Sequence, residues 1–394
     1  MSLHNHKQKG AVSLFVVIFS ALLITIITVG FIRLMIQSQM QATANDLSQS
    51  ALDSAQAGAE DAKRAIVRYY SEGCPVSGNA LCDAVDSGKC STIQDSGLLG
   101  TGLDDSDGVR IKTDNTDNQL NQAYTCVKIT LNTPDYVASL NKNTARFIRL
   151  QSDKPFTKVV VQWYSQQDFE KAKQASGSVS ASIGSDLGSD TGLPAQSSWL
   201  ALRPALMRLQ LLQYTKGKPF TMADLNGRTD NSSLFLIPSQ AGLSSTQFDT
   251  SQPASTPVLT PVTCDSSFPT GSAGQYACSA EITLPNPVSG DKTNRQAYLQ
   301  VGAFYQNVTF RICLDTCTNF NDPAHPNFKG VQPVIDSTGR AGDYFRRVQS
   351  RVEFMGKGLP EIDAAVDLTG SLCKSFGVSN NVGEYEPGGC NPSL

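Results

Sequence analysis

The chain has 394 residues, too many for one small domain and enough for a sizeable core. Its net charge is −3 and only 17% of its residues are Asp, Glu, Lys or Arg, which excludes the basic field that nucleic-acid binding requires. Ser, Thr, Asn, Gln and Gly stand in for charge, a composition common among β-rich extracytoplasmic proteins.

The first element is a long helix. After Lys7-Gln8-Lys9-Gly10, residues 11–32 contain no ionisable side chain. At 1.5 Å per residue they span about 33 Å, enough to cross a bilayer core of about 30 Å. No proline occurs before Pro75. Apolar or small residues recur in steps of three and four at Ile36, Met40, Ala44, Leu47, Ala51, Ala55, Gly58, Ala62, Ala65 and Tyr69, tracing one face of a helix. The pattern predicts a helix over 11–70, transmembrane at 11–32 and amphipathic at 33–70. Within it, Ala51, Ala55, Gly58, Ala62 and Ala65 form a seam of small residues on which the helix can lie close against its own head. Lys7 and Lys9 on one side, against a lone Arg33 on the other, orient the N-terminus to the cytoplasm. The apolar run is too long for a cleavable secretory signal, and no Ala-x-Ala site follows it.

Ten cysteines all lie beyond the helix: Cys74, Cys82, Cys90, Cys126, Cys264, Cys278, Cys313, Cys317, Cys373 and Cys390. An even set placed after a membrane segment points to an oxidising compartment and disulfides, with free buried thiols as the alternative. Pairing cannot be deduced from sequence. Cys264 and Cys278 flank a turn and suit a hairpin staple. Cys313 and Cys317 bridge if the chain curls back; otherwise each has a more distant partner.

Residues 71–122 read as loop-rich. Asp104-Asp105-Ser106-Asp107-Gly108 and Asp114-Asn115-Thr116-Asp117-Asn118 are oxygen-rich, as Ca²⁺ loops are. A calcium-loop register on Gly108 puts Leu103 at the first ligand position, so a solvated acidic loop is the better reading. Alternation predicts strands at 124–131, 145–150, 158–164, 207–214, 276–284, 297–304, 308–314 and 344–354, with a short apolar strand at 234–237 closed by Pro238. Residues 166–173 suit a helical turn, 335–340 read as a turn, and 174–198 and 239–262 as flexible insertions. In the last strand Val348, Ser350, Val352 and Phe354 oppose Arg347, Gln349, Arg351 and Glu353. The fold class is therefore α+β: a long N-terminal helix, then a β-rich, disulfide-containing head over 71–394, in one module or two.

No catalytic motif stands out. His4, His6 and His325 are the histidines, two of them before the apolar run, and His325 lies in a Pro-flanked loop. There is no G-x-S-x-G, Walker A or dinucleotide fingerprint, and no paired C-x₂-C zinc pattern. Tyr69, Tyr70, Trp163, Tyr164 and Trp199 are expected mainly in packing roles. Asn231 and Asn307 open sequons that arise readily by chance. Neither enzymatic activity nor a resident cofactor or metal is expected.

Lys7-Gln8-Lys9-Gly10 followed by Ala11-Val12-Ser13-Leu14-Phe15 resembles the class III signal of type IV pilins and pseudopilins. The run from Asn45 to Ala51 and then Ala55-Gln56-Ala57-Gly58-Ala59-Glu60 is similar to the corresponding segment of PilX-type minor pilins. The resemblance covers about residues 7–66. It implies a cytoplasmic leader over 1–10, cut between Gly10 and Ala11 by prepilin peptidase, and a helix that packs with other pilin subunits after leaving the cytoplasmic membrane. The layout of Cys373 and Cys390 is similar to the C-terminal disulfide loop of many pilins. One departure is Phe15, where most pilins carry Glu at the fifth mature position. The tip pseudopilin of type II secretion systems also lacks that Glu. The resemblance thus implies a minor, tip or initiating subunit of a cell-surface filament, structural or adhesive, with a surface ligand for the head. The alternative is an uncleaved, membrane-anchored extracytoplasmic receptor or enzyme.

Overall fold

The computed structural model describes residues 10–353 apart from 77, 100–103, 106–107, 112–120, 177–198, 201–202, 216–230, 240–241, 249–257, 266–275 and 290–294. Cys373 and Cys390, the leader over 1–9, and Phe354 lie outside the described residues.

Helix α1 runs unbroken from Gly10 to Ser71, 62 residues or about 93 Å. Two short helices follow, α2 (Ala80–Ser87) and α3 (Thr92–Asp95), in the stretch expected to be loop. Local chemistry starts and stops α2. The Asn79 side chain accepts from the amides of Leu81 (3.0 Å) and Cys82 (3.2 Å), and Gly88 closes the helix in the left-handed region.

The first sheet sits under α1. It joins β1 (Asp104–Asp105), β2 (Gly108–Arg110), β3 (Ala123–Thr133), β14 (Phe328–Ala341) and β15 (Tyr344–Arg351), in that order. A second sheet contains β4 (Asp135–Leu140), β13 (Val308–Leu314), β6 (Pro155–Ser165), β11 (Tyr276–Ser289) and β9 (Ser245–Gln247). A third has the order β10 (Val258–Thr263), β8 (Asn231–Ser239), β7 (Leu206–Thr215), β12 (Arg295–Phe304) and β5 (Thr144–Arg149). Helix α4 (Gln166–Ser176) follows β6.

Two cores result. The second and third sheets share a sandwich core filled by large side chains, among them Trp163, Phe156, Phe310 and Ile148. Indole burial there is satisfied, because Trp163 Nε1 donates to the Ala205 carbonyl at 3.0 Å. The first sheet shares a smaller core with α1, α2 and α3: Ala59, Ala62, Ala65, Ile66, Leu81, Ile93, Val127, Ile129 and Ile335.

Strand β14 belongs to both cores. Phe328 and Val331 pack into the sandwich, and Ile335 packs under the helix. Its register against β3 slips between Lys329 and Val334. Gln332 bonds the backbone of Val137 on β4 through both ends of its amide. Nearby, Arg351 donates to the Asp135 carboxylate at 2.7 Å, and Arg311 stands 4.0 Å from it. Asp135 and Arg311 are almost fully buried, so each needs the other's charge.

Several expected boundaries are corrected. Residues 335–340 are not a turn but lie in the C-terminal half of β14; the turn lies at Gly342. Pro238 does not close β8, which runs on to Ser239. Pairing with β7 ends at Leu236, so the absent proline N–H breaks no ladder on that side. The insertion expected over 239–262 contains β9 and most of β10. Both run parallel to their neighbours and lie at sheet edges, where Pro261 is tolerated. Of the insertion expected at 174–198, residues 174–176 belong to α4 and 177–198 are outside the described residues.

Candidate functional site

The two parts of α1 differ in what they meet. From Leu14 to Met40 the helix exposes large apolar side chains on every face, including Phe15, Ile18, Phe19, Ile24, Ile27 and Phe31; Phe15 is 73% exposed. By length and composition this part is long and apolar enough to cross a membrane. Three of its hydroxyls are satisfied internally: Ser20, Thr25 and Thr28 donate to the carbonyls of Val16, Leu22 and Ile24 at 2.7–2.8 Å. Arg33 is the first charge met after the charge-free residues 11–32. The helix continues through Gly30, whose Cβ position is open space.

From Ala51 onward one face is buried against the first sheet. Ala51, Ala55, Ala62 and Ala65 are fully buried, and so is Ser54. Its hydroxyl donates back to Ser50. The approach is so close that the sheet also must lack side chains. A Cβ on Gly339 of β14 would lie 2.2 Å from the Ala51 carbonyl oxygen and the Ala55 nitrogen. A Cβ on Gly58 would meet the Ser337 hydroxyl at 2.5 Å and the side chains of Tyr124 and Val127 at 2.9 Å. Glycine is required at both positions because main chain or packed side chain already fills the space. Further along, Gly330 takes a left-handed conformation in the β14 bulge, with the Tyr70 ring over the space its side chain would occupy.

Polar contacts pin this seat. The Tyr124 hydroxyl donates to Asp61 at 2.9 Å, and the Tyr69 hydroxyl donates to Asp86 at 2.7 Å. Arg346 of β15 donates to the Ser48 hydroxyl. Burial pushes the Tyr70 hydroxyl up to about 12; Tyr69 is raised further, by burial first and then by its bond to the Asp86 carboxylate. On the solvent side, Lys63 pairs with Glu60, Arg64 with Asp61 and Arg68 with Glu72. These are exposed pairs of small energetic weight.

Disulfides hold the helix end and the strands near it. Cys74–Cys82 ties the end of α1 to α2, and Cys90–Cys126 ties the segment before α3 to β3. In the sandwich, Cys264–Cys278 links the end of β10 to β11, and Cys313–Cys317 closes the chain on itself after β13. None of the described cysteines is free.

Other singled-out residues fall as follows. Gly10 and Ala11 are the first residues of α1. Asp104 and Asp105 form β1, and Gly108 opens β2 where a Cβ would strike the Tyr124 carbonyl at 2.5 Å; residues 106–107 and 114–118 are outside the described residues. Tyr69, Trp163, Tyr164 and Trp199 are buried. His325 is buried in the loop between β13 and β14, its Nε2 2.9 Å from the Thr316 carbonyl oxygen. Sequence reasoning missed Gly339, Ser337 and Gly330, the residues that receive the helix. Their signal was the alternation of small residues at 337, 339 and 341, hidden in a stretch whose composition suggests a turn.

Comparison with protein-family models, curated proteins and solved structures returns no match.

Proposed function

We propose that the chain is a minor subunit of a type IV pilus or related filament, anchored by α1 in the cytoplasmic membrane until it is assembled. One observation carries this reading: a single helix leaves its first part uncovered and free of ionisable side chains over residues 11–32, while its second part is locked to the head by alanine and glycine. A simple anchor needs only the first feature. A subunit that must present an apolar helix to lipid and then to neighbouring helices needs the head held rigidly on the same rod. Lipid and filament interior are both apolar, so the transfer gains little hydrophobic energy and association rests on close packing.

The proposed sequence of events begins with cleavage after Gly10 by prepilin peptidase, which leaves Ala11 as the N-terminus. Phe15 then offers no carboxylate to a neighbouring N-terminal amine. That absence, with a head as large as 71–394, favours a tip or initiating position and display of the head to a surface ligand. No chemical step is assigned to the head.

Intact-mass and N-terminal peptide analysis of the protein from native membranes tests the reading. A chain beginning at Ala11 is expected. A chain beginning at Met1 or Ser2 would sink it and leave an uncleaved anchored receptor or enzyme. Immunogold labelling is expected at filament ends; even labelling along the shaft would overturn the tip position.

A further inference from the structure

We propose that the β14–β15 hairpin is a docking surface for the acidic outer face of α1 in a second copy of this chain, formed while both copies are in the membrane. The inference rests on the membrane and filament reading above.

The hairpin lies where α1 leaves the sheet. A Cβ on Gly342 in its turn would stand 3.8 Å from the Leu47 side chain, and Arg346 bonds Ser48. It is the membrane-facing end of the head if residues 11–32 span the bilayer. Strand β15 is an edge, paired to β14 alone among the described residues. An edge is a place where chains associate unless something blocks it. Here Tyr344 is 40% exposed and shares the strand face of Arg346, which bonds Ser48, while Phe345, 57% exposed, is on the other face. Tyr, Phe and Arg are the residue types enriched at protein interfaces. Arg347 is neutralised by Asp336, whereas Arg346 has only the Ser48 hydroxyl among the described residues. Asp343 in the turn is the nearby opposing charge in sequence.

The complementary surface is on the helix. Asp46, Asp53 and Glu60 are all exposed and stand seven residues apart, so they drift only about 20° per repeat and share one face. That face is opposite the one carrying Ala51, Ala55 and Ala62. Asp46 has no partner among the described residues, Asp53 accepts only from Gln49, and Glu60 pairs with Lys63. A hairpin on one side of the helix cannot reach carboxylates on the other side of the same helix, so the pairing is between copies. The two surfaces are also level. The hairpin meets the helix at residues 47–48, and the acidic face begins at residue 46. Two chains anchored at equal depth by residues 11–32 therefore bring one chain's hairpin beside the other's acidic face without axial sliding. Unlike surfaces meet, so the contact is heterologous.

The experiment places the photo-crosslinking amino acid p-benzoylphenylalanine at position 344, on the Arg346 face, of the full chain in native membranes. The expected product is a cross-linked dimer with its adduct within residues 42–64 of the second copy. Asp46→Lys with Asp53→Lys is expected to lower its yield several-fold, and adding Arg346→Glu to restore it. Adducts only to lipid or to other proteins would overturn the inference, as would a yield indifferent to the charge swaps. The N-terminus is read in the same sample. A chain starting at Ala11 without the dimer adduct overturns this contact and leaves the filament reading standing; one starting at Met1 with the adduct does the reverse.

Discussion

The two parts of α1 follow opposite rules within one continuous helix. Between residues 14 and 40 large apolar side chains radiate outward and none is buried. Between residues 51 and 65 the inner face is Ala, Ser and Gly, and it is fully buried. Large side chains suit a soft surrounding such as lipid, where fit is supplied by the solvent. Small ones suit a fixed partner, because only they let two backbones approach. The difference shows that hydrophobicity alone does not mark the buried face of this helix: its least hydrophobic part is its most buried.

Substitutions separate the two rules. Gly339→Ala should have the largest effect. The added methyl meets the α1 main chain at Ala51, Ser54 and Ala55 and nothing flexible can yield, so the helix must lift; a loss of about 3 kcal/mol or more is expected. Thermal unfolding and cleavage of α1 by protease would report it, and an unchanged melting temperature would refute the close-packing account. Ile24→Lys tests the other half. A lysine at the centre of a spanning helix costs about 2.5–3.5 kcal/mol of insertion. More protein should extract from membranes at alkaline pH, with the four disulfides of the described head intact. Gly58→Ala should cost less than Gly339→Ala, about 1–3 kcal/mol, because its neighbours are side chains that can shift. Ser337→Ala in the same chain should recover part of the loss, since it removes the closest atom.

The smallest expected effect is alkaline. Tyr70 and Tyr276 are held neutral by burial up to about 12. Between pH 10 and 12 the unfolded chain has lost these protons and the folded chain still keeps them. Stability should therefore fall as pH rises through that window and stay level below it. A flat denaturation midpoint from pH 8 to 12 would show that these hydroxyls reach solvent. Tyr70→Phe should weaken the decline.

Much of the architecture was legible. Residues 10–71 announce a helix by the absence of proline and by their spacing, and the seam at Ala51, Ala55, Gly58, Ala62 and Ala65 shows in the steps of three and four. Most strands of the sandwich show plain alternation, because one face of each meets the core. Strand β14 was hidden. Its Asp336-Ser337-Thr338-Gly339 has the composition of a turn, yet those small residues are there to receive the helix. Strands β9 and β10 were hidden for another reason: short parallel edge strands need neither a long apolar run nor a free amide at every position. Helices α2 and α3 were too short for any periodicity to appear.

Local sequence suffices to specify a long, apolar, proline-free helix ahead of a β-rich region furnished with cysteines. These are local properties, set by the charge, size and backbone freedom of neighbouring residues. Tertiary structure alone decided which strand the helix rests on, that β14 joins two cores, which described cysteines meet, and that the hairpin at Tyr344 lies beside Ser48. Each of these depends on groups far apart in the chain being brought within a few ångströms, and no local pattern encodes the partner across that distance.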